Sequence, residues 1–242
     1  MGIRLLPSGD SSIVIEFGDK IDPELNKKVR FMFLSMIEAN IPSVTELIPT
    51  YRSLYVQYDP LTTCLEELKK QLLKVISRLD EVTFPPPRTV EIPTLYGGDY
   101  GPDLELVAEH NKLTPDEVVK IHTSMDYLVY MIGFTPGFAY LGGMSNMIAT
   151  PRLETPRLKV PAGSVGIAGE QTGIYPIESP GGWNIIGKTP IKLFNIKTDP
   201  PSTLQSSDYV RFVKIDKKEY KRIQNQIEMG IYNIRIYLQE VE

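Results

Sequence analysis

The residues best suited to chemistry crowd between Arg152 and Thr189. In "PRLETPR", Arg152 and Arg157 stand five apart, and a guanidinium offers the planar fork that grips a carboxylate or a phosphate. "EQTGIYP" adds the neutral hydrogen-bonding side chains of Gln171 and Thr172 and the phenol of Tyr175, and Trp183 offers a flat apolar wall. His122 falls ahead of this stretch; it is one of 2 histidines, and imidazole moves protons near neutral pH. Each has a structural alternative. The arginines can be tied up in ion pairs with Glu154 or Glu170, and Tyr175 and Trp183 suit a core as well as a pocket. His122, on a short predicted helix, can cap it or face solvent. His110 reads as a helix C-terminal residue.

"SPGGWNIIGKTP" spells the phosphate-loop pattern from Gly182 to Thr189. A working phosphate loop needs a strand before its glycines and a helix after its Lys-Thr, because backbone N–H groups and the helix N-terminus cradle the anion. Here "IESPGG" ends in a turn, and Pro190 and the strand-like alternation "IKLFNI" follow. The pattern is an accident of spelling, and Gly181 and Gly182 are expected to form a tight turn at positive φ. No serine sits in a nucleophile elbow, Ser164 in "PAGSVG" having only glycine-flanked loop context. No His, Cys, Asp or Glu spacing suggests a metal site. The single cysteine, Cys64, excludes an internal disulfide and is expected to be a packed small side chain in a protein of a reducing compartment.

The elements that must position these residues follow from composition and period. The chain has 242 residues, 42% hydrophobic and 23% charged, with a formal net charge of −4, which suits a folded chain with a sizeable core and argues against nucleic-acid binding. No secretory signal is visible, and no apolar run approaches the roughly 20 residues that span a bilayer. A cytoplasmic protein without a membrane partner is expected.

"SIVIEFG" predicts a strand with Ile13, Ile15 and Phe17 on one face. A helix follows, with Asp22 as cap, Pro23 at its first position, and Leu25, Val29, Met32, Phe33, Met36 and Ile37 facing inward. Two strands, "SVTELIPTY" and "SLYVQY", precede a helix opening with a Thr63–Glu66 capping box. This β-α-β-β-α order predicts an α+β fold beginning with a ferredoxin-like sandwich over residues 1–84. Pro85 to Pro87 form a stiff link. Residues 85–242 make the second domain, with two short helices (the second boxed by Thr114 and Glu117 around Pro115), then the strand "YLVYMIGF". From Gly133 to Pro190 the chain carries eleven of its 18 glycines and seven prolines, and short apolar runs between them predict a β-barrel or sandwich. "DKKEYKRIQNQIEMG" is a helix stopped by Gly230, and "IYNIRIYL" a closing strand.

Taken whole, "GFTPGFAYLGGM" and "TPRLETPRLKVPAGSVGIAGEQTGIYPIESPGGWNIIGKTP", with the opening "GD…IEFG", "YRSLYVQYDP" and His122 in order, resemble the family of 5-oxoprolinase B subunits. That family is also labelled allophanate hydrolase subunit 1 and includes an inhibitor of a sporulation histidine kinase. The resemblance runs over nearly the whole chain. It departs at "IGKTP", where Lys188 replaces the family's Arg, keeping the charge but losing the fork. The resemblance implies a cyclophilin-like β-barrel after the ferredoxin-like domain. It also implies a non-autonomous subunit of a hydrolase that opens 5-oxoproline (pyroglutamate) to glutamate, at the expense of ATP, with subunits A and C. Within that activity, His122, Arg152 and Arg157 become the catalytic candidates, and Gln171, Thr172, Tyr175, Trp183 and Lys188 the substrate-binding ones. ATP is the expected co-substrate of the complex, and a partner subunit can supply its phosphate cradle. The rival implied by the same family is a regulatory module docking a histidine kinase through the barrel. A peptidyl-prolyl isomerase rests on barrel analogy alone.

Overall fold

Alternation in its second strand organises the N-terminal unit, Met1–Pro86. In β2 (Ser12–Glu16), Ile13 and Ile15 are fully buried, and Phe17 continues the same face. An unexpected strand, β1 (Arg4–Pro7), pairs antiparallel with β2; it is too short and too exposed to show a period of its own. Helix α1 (Pro23–Ala39) begins as its cap predicts, the Asp22 carboxylate accepting from the backbone N–H groups of Glu24 (2.8 Å) and Leu25 (3.1 Å). Val29, Met32 and Met36 turn inward, whereas Ile37, expected inside, is 54% exposed at the edge of the stripe.

Strands β3 (Val44–Pro49) and β4 (Ser53–Tyr58) complete an antiparallel sheet of order β1-β2-β4-β3, and α2 (Leu65–Ile76) adds Leu68 and Leu72 to its core. The expected Thr63–Glu66 box does not form. The helix starts one residue later, with Cys64 as its cap, so Thr63 falls out of register for capping and its hydroxyl reaches only the Cys64 carbonyl, at 3.5 Å. Cys64 itself is exposed, not packed.

The structure, a computed structural model, describes residues 2–79 and 86–238. The expected domain boundary at 84/85, and Pro85 of the proline link, lie outside the described residues. The second unit is Pro87–Glu242. Its spine is β5 (Arg88–Tyr96), which runs parallel to β13 (Tyr209–Lys214), meets β14 (Ile236–Leu238) at its start and β12 (Asn184–Lys188) at its end. With β6 (Asp126–Ile132), β7 (Ala139–Gly142), β9 (Ser164–Ala168) and β10 (Gln171–Ile174), these strands form a sheet of order β10-β9-β12-β5-β13-β6-β7, with β14 on β5. The terminal strands β10 and β7 lie against one another, so the sheet curls into a nearly closed barrel. Inside are fully buried Val90, Ile92, Val129, Ile167 and Phe212, each contributing about 1.5–3 kcal/mol of burial.

Helices α3 (Leu104–His110) and α4 (Pro115–His122) follow β5, and α5 (Lys217–Glu228) follows β13. The α4 capping box forms in both directions, Glu117 accepting from the Thr114 N–H at 2.7 Å and Thr114 accepting from the Glu117 N–H at 3.3 Å. A separate two-stranded ribbon joins β8 (Arg157–Val160) to β11 (Ser179–Gly181). Two expected strands shrink. "IKLFNI" makes only an isolated bridge between Phe194 and Ser202, and "IYNIRIYL" contributes only the three residues of β14. Alternation in each run exceeds what an available sheet edge can pair.

Candidate functional site

The predicted residues divide into two groups with different physical character. The first is built on α4, which buries Val118, Val119 and His122 on one face. His122 has 0% exposure and is boxed by the rings of Phe212 (centroids 4.4 Å apart), Tyr127 (5.4 Å) and Tyr96 (5.7 Å). Its Nδ1 lies 2.8 Å from the Tyr96 hydroxyl, and its Nε2 lies 2.8 Å from Thr172 Oγ1. Thr172 already donates to the Gly166 carbonyl at 3.1 Å, so its oxygen accepts from Nε2–H, and Nδ1 accepts from Tyr96. The pattern therefore assigns a neutral imidazole with the proton on Nε2. Burial lowers the His122 pKa from 6.5 to about 3 and pushes the Tyr96 phenol well above its usual value. A residue without solvent access, with both ring nitrogens engaged and the imidazole held neutral near neutral pH, does not fit the acid/base role expected for it. His122 and Thr172 tie α4, β5 and β10 together.

The second group is open only at Arg157 and Trp183; Tyr175, 4% exposed, and Phe138, 6% exposed, are buried, so the phenol packs as core. Arg157, first in β8, is 33% exposed; its Nη2 donates to Asp103 Oδ1 at 2.6 Å, and its Nη1 reaches the Trp183 carbonyl at 3.4 Å. The expected partners, Glu154 or Glu170, are replaced by a carboxylate from just before α3. Tyr175 and Trp183 stand edge to face, 6.3 Å between centroids, and Phe138 meets both at 6.5 and 6.0 Å. Burial raises the Tyr175 pKa, while a backbone hydrogen bond from Trp183 and the charges of Arg152 and Arg157 pull it down. Both arginines therefore act on one phenol, beside an aromatic wall.

The glycines expected to turn at positive φ do something else. Neither Gly181 nor Gly182 has positive φ; a Cβ on Gly181 would lie 2.1 Å from the Tyr175 hydroxyl, so this glycine is the space the phenol occupies. Gly173 likewise leaves room for Trp183, whose ring would approach an added Cβ at 3.1 Å. A cation with spare donors beside the half-buried face of Trp183 suits a small ring that carries a carboxylate, with buried Tyr175 and Phe138 packed against the indole.

Known proteins share this sequence and fold. Residues 3–204 match the carboxyltransferase domain family, subdomain C and D. The B subunit of 5-oxoprolinase from Bacillus subtilis (strain 168) is 46% identical over 222 residues, 88% of this chain and 92% of that protein. The chain belongs to the family of 5-oxoprolinase B subunits. The corresponding protein of Escherichia coli O157:H7 is 39% identical, over 85% of this chain and 93% of that one. The crystal structure of the conserved protein PH0987 from Pyrococcus horikoshii is 50% identical, covering 90% of this chain and 100% of that one, with a TM-score of 0.54.

Of the remaining predicted residues, Arg152 alone lies within electrostatic reach of Tyr175. Arg152 is exposed in the loop before β8, and Gln171 is half-buried at the start of β10. Lys188 ends β12 opposite Leu95 and Ser164, roughly 15 Å along the strand from Trp183. It does not join the aromatic cluster. "NIIGK" is strand β12 with no helix after it, so it does not have the local structure of a phosphate loop.

Asp103 and Phe138 escaped the sequence reading, and Phe134 with them: it is 78% exposed, at φ 67, with its ring 5.9 Å from Phe138. A bulky residue at positive φ inside "GFTPGF" is a strained position of the kind that clusters at working sites. A cavity of about 340 Å³ between β5, β13 and α5 contains none of the predicted residues. Its cations are already paired, Arg222 with Glu219 at 2.6 Å and Arg235 with Glu91 at 3.7 Å. Among the described residues, no group of three or more His, Cys, Asp or Glu could hold a metal ion, and no helix is long and apolar enough to cross a membrane.

Proposed function

We propose that this chain is the B component of a cytoplasmic, ATP-dependent 5-oxoprolinase, which opens 5-oxoproline to L-glutamate together with subunits A and C. What carries the reading is the match to a 5-oxoprolinase B subunit at 46% identity over nearly the full length of both chains. On the same reading the N-terminal unit is a ferredoxin-like sandwich and the second a cyclophilin-like barrel.

A five-membered lactam is an unstrained amide whose opening is uphill near neutral pH, so the ring must be activated while its carboxylate is held and water is kept away. Phosphorylation of the amide oxygen by ATP supplies the activation. On this reading a partner subunit cradles the phosphates, in keeping with "NIIGK" being a strand. This chain supplies the grip: Arg157, with Arg152 nearby, takes the carboxylate, and the half-buried face of Trp183 covers the ring, supported by the buried rings of Tyr175 and Phe138. Exposed Phe134 extends the wall outward to meet a partner subunit. His122 and Thr172 hold the barrel that presents the grip and take no part in proton transfer.

The test is reconstitution with subunits A and C, following 5-oxoproline-dependent phosphate release with each chain omitted in turn. Release is expected only with all three. Release that persists without this chain contradicts the reading and leaves the kinase-binding alternative.

A further inference from the structure

Asp103 is held from three sides. Its backbone N–H donates to the Ile185 carbonyl at 2.9 Å, its Oδ2 accepts from the Ile185 N–H at 2.6 Å, and its Oδ1 accepts from Arg157 Nη2 at 2.6 Å. Only the end of β12 pairs with β5, through Gly187 and Lys188. Upstream of that pairing, the chain leaving β5 follows the strand instead. Gly97 N–H bonds the Ile186 carbonyl at 3.1 Å, and Gly101 packs so tightly that an added Cβ would meet the Ile186 oxygen at 2.0 Å. Asp103 then closes this edge by using its own side chain as a ladder acceptor. It is 6% exposed, so the carboxylate has little freedom to move and no competing water shell.

The same rigidity bears on Arg157, which donates to the other oxygen. Arg157 is a long side chain with several rotatable bonds, and ordering it when a ligand arrives costs conformational entropy. Asp103 on one Nη and the Trp183 carbonyl on the other fix the plane of the guanidinium beforehand, and donors remain for an anion. We propose that Asp103 is a positioning residue, holding Arg157 in the orientation that grips an anionic group on the substrate. This rests on the reading of Arg157 as the carboxylate grip. Asp103 acts through Arg157 and does not touch substrate.

Asp103→Asn separates the two jobs of the carboxylate. The Asn oxygen still accepts from Ile185 N–H, while its amide NH2 faces Arg157 and cannot accept from it. Two measurements are made. The first is nitrogen-15 NMR of the arginine side chains in the full chain, with Arg157 assigned by its loss in Arg157→Lys. A pinned guanidinium gives resolved, slowly exchanging Nη signals in the parent, and these average in Asp103→Asn. The second is the reconstituted reaction, in which Asp103→Asn is expected to raise the KM for 5-oxoproline about tenfold with little change in kcat, and to add less than about twofold in the Arg157→Lys background.

Averaged Arg157 signals in the parent chain overturn the proposal, and this holds even if Asp103→Asn fails to fold. So do Arg157 signals indifferent to Asp103→Asn, or a KM that Arg157→Lys raises and Asp103→Asn does not. If Arg157→Lys leaves KM unchanged, the carboxylate-grip reading falls, and the proposal that Asp103 positions a grip falls with it. Pinned signals in that case leave the ion pair a purely structural contact.

Discussion

Two polar clusters in the barrel unit use similar residues to opposite ends. Around His122, the tautomer is fixed, both nitrogens are engaged, and aromatic rings exclude water. Around Arg157, one Nη is committed to Asp103 and the other reaches the Trp183 carbonyl, while the remaining donors stay at a third-exposed surface beside Trp183. A saturated cluster specifies a fold, and an unsaturated, anchored one is left with capacity to bind. The polar residues of a single long motif sort themselves by whether their hydrogen-bonding capacity is already used.

The comparison is broken most severely by acid. In the unfolded chain His122 takes a proton below its ordinary pKa of 6.5, whereas in the folded chain it stays neutral until about pH 3. The unfolded state therefore binds more protons throughout that window. The contribution is complete above pH 6.5 and is lost as pH falls, at about 1.4 kcal/mol per pH unit and about 5 kcal/mol in all. Urea denaturation at a series of pH values should show this slope in the parent and lose one proton's worth of it in His122→Gln; equal slopes would mean the imidazole is not buried neutral.

Smaller changes sharpen the contrast. Thr172→Val removes the acceptor of His122 Nε2–H and leaves a buried donor unpaired, an expected loss of about 2 kcal/mol in the same denaturation experiment. Gly181→Ala drives a methyl into the Tyr175 hydroxyl and should cost about 1–2 kcal/mol while changing the fluorescence of the only tryptophan, Trp183, as its neighbour is displaced. Tyr96→Phe leaves Nδ1 without its donor, at about 1 kcal/mol, with no effect on Trp183 fluorescence.

What could be read from the sequence was what is local. Asp22 with Pro23, and Thr114 with Glu117, announce their helices because a cap and its target lie within four residues. Tyr175, Trp183 and Arg157 could be assembled because one contiguous motif carries them. Asp103 could not: it precedes Arg157 by 54 positions, and Glu154 lies nearer in sequence. The burial of His122 did carry a signal, since Val118, Val119 and His122 share one helical face at i, i+1, i+4. Cys64 misled by its apolar character, taking a cap position where the chain is exposed. The positive-φ expectation for Gly181 failed because a glycine can be required by a neighbour's bulk as well as by its own backbone.

The most direct measurement sets Arg157→Lys against His122→Gln in the reconstituted complex, recording activity per folded molecule and the melting temperature of each chain. Arg157→Lys keeps a charge for Asp103 but loses the fork; activity should fall at least tenfold, about 1.4 kcal/mol or more, with the melting temperature within a few degrees of the parent. His122→Gln should melt several degrees lower and keep activity within about threefold. An Arg157→Lys complex at full rate, or a folded His122→Gln complex without activity, would contradict the division between the two clusters.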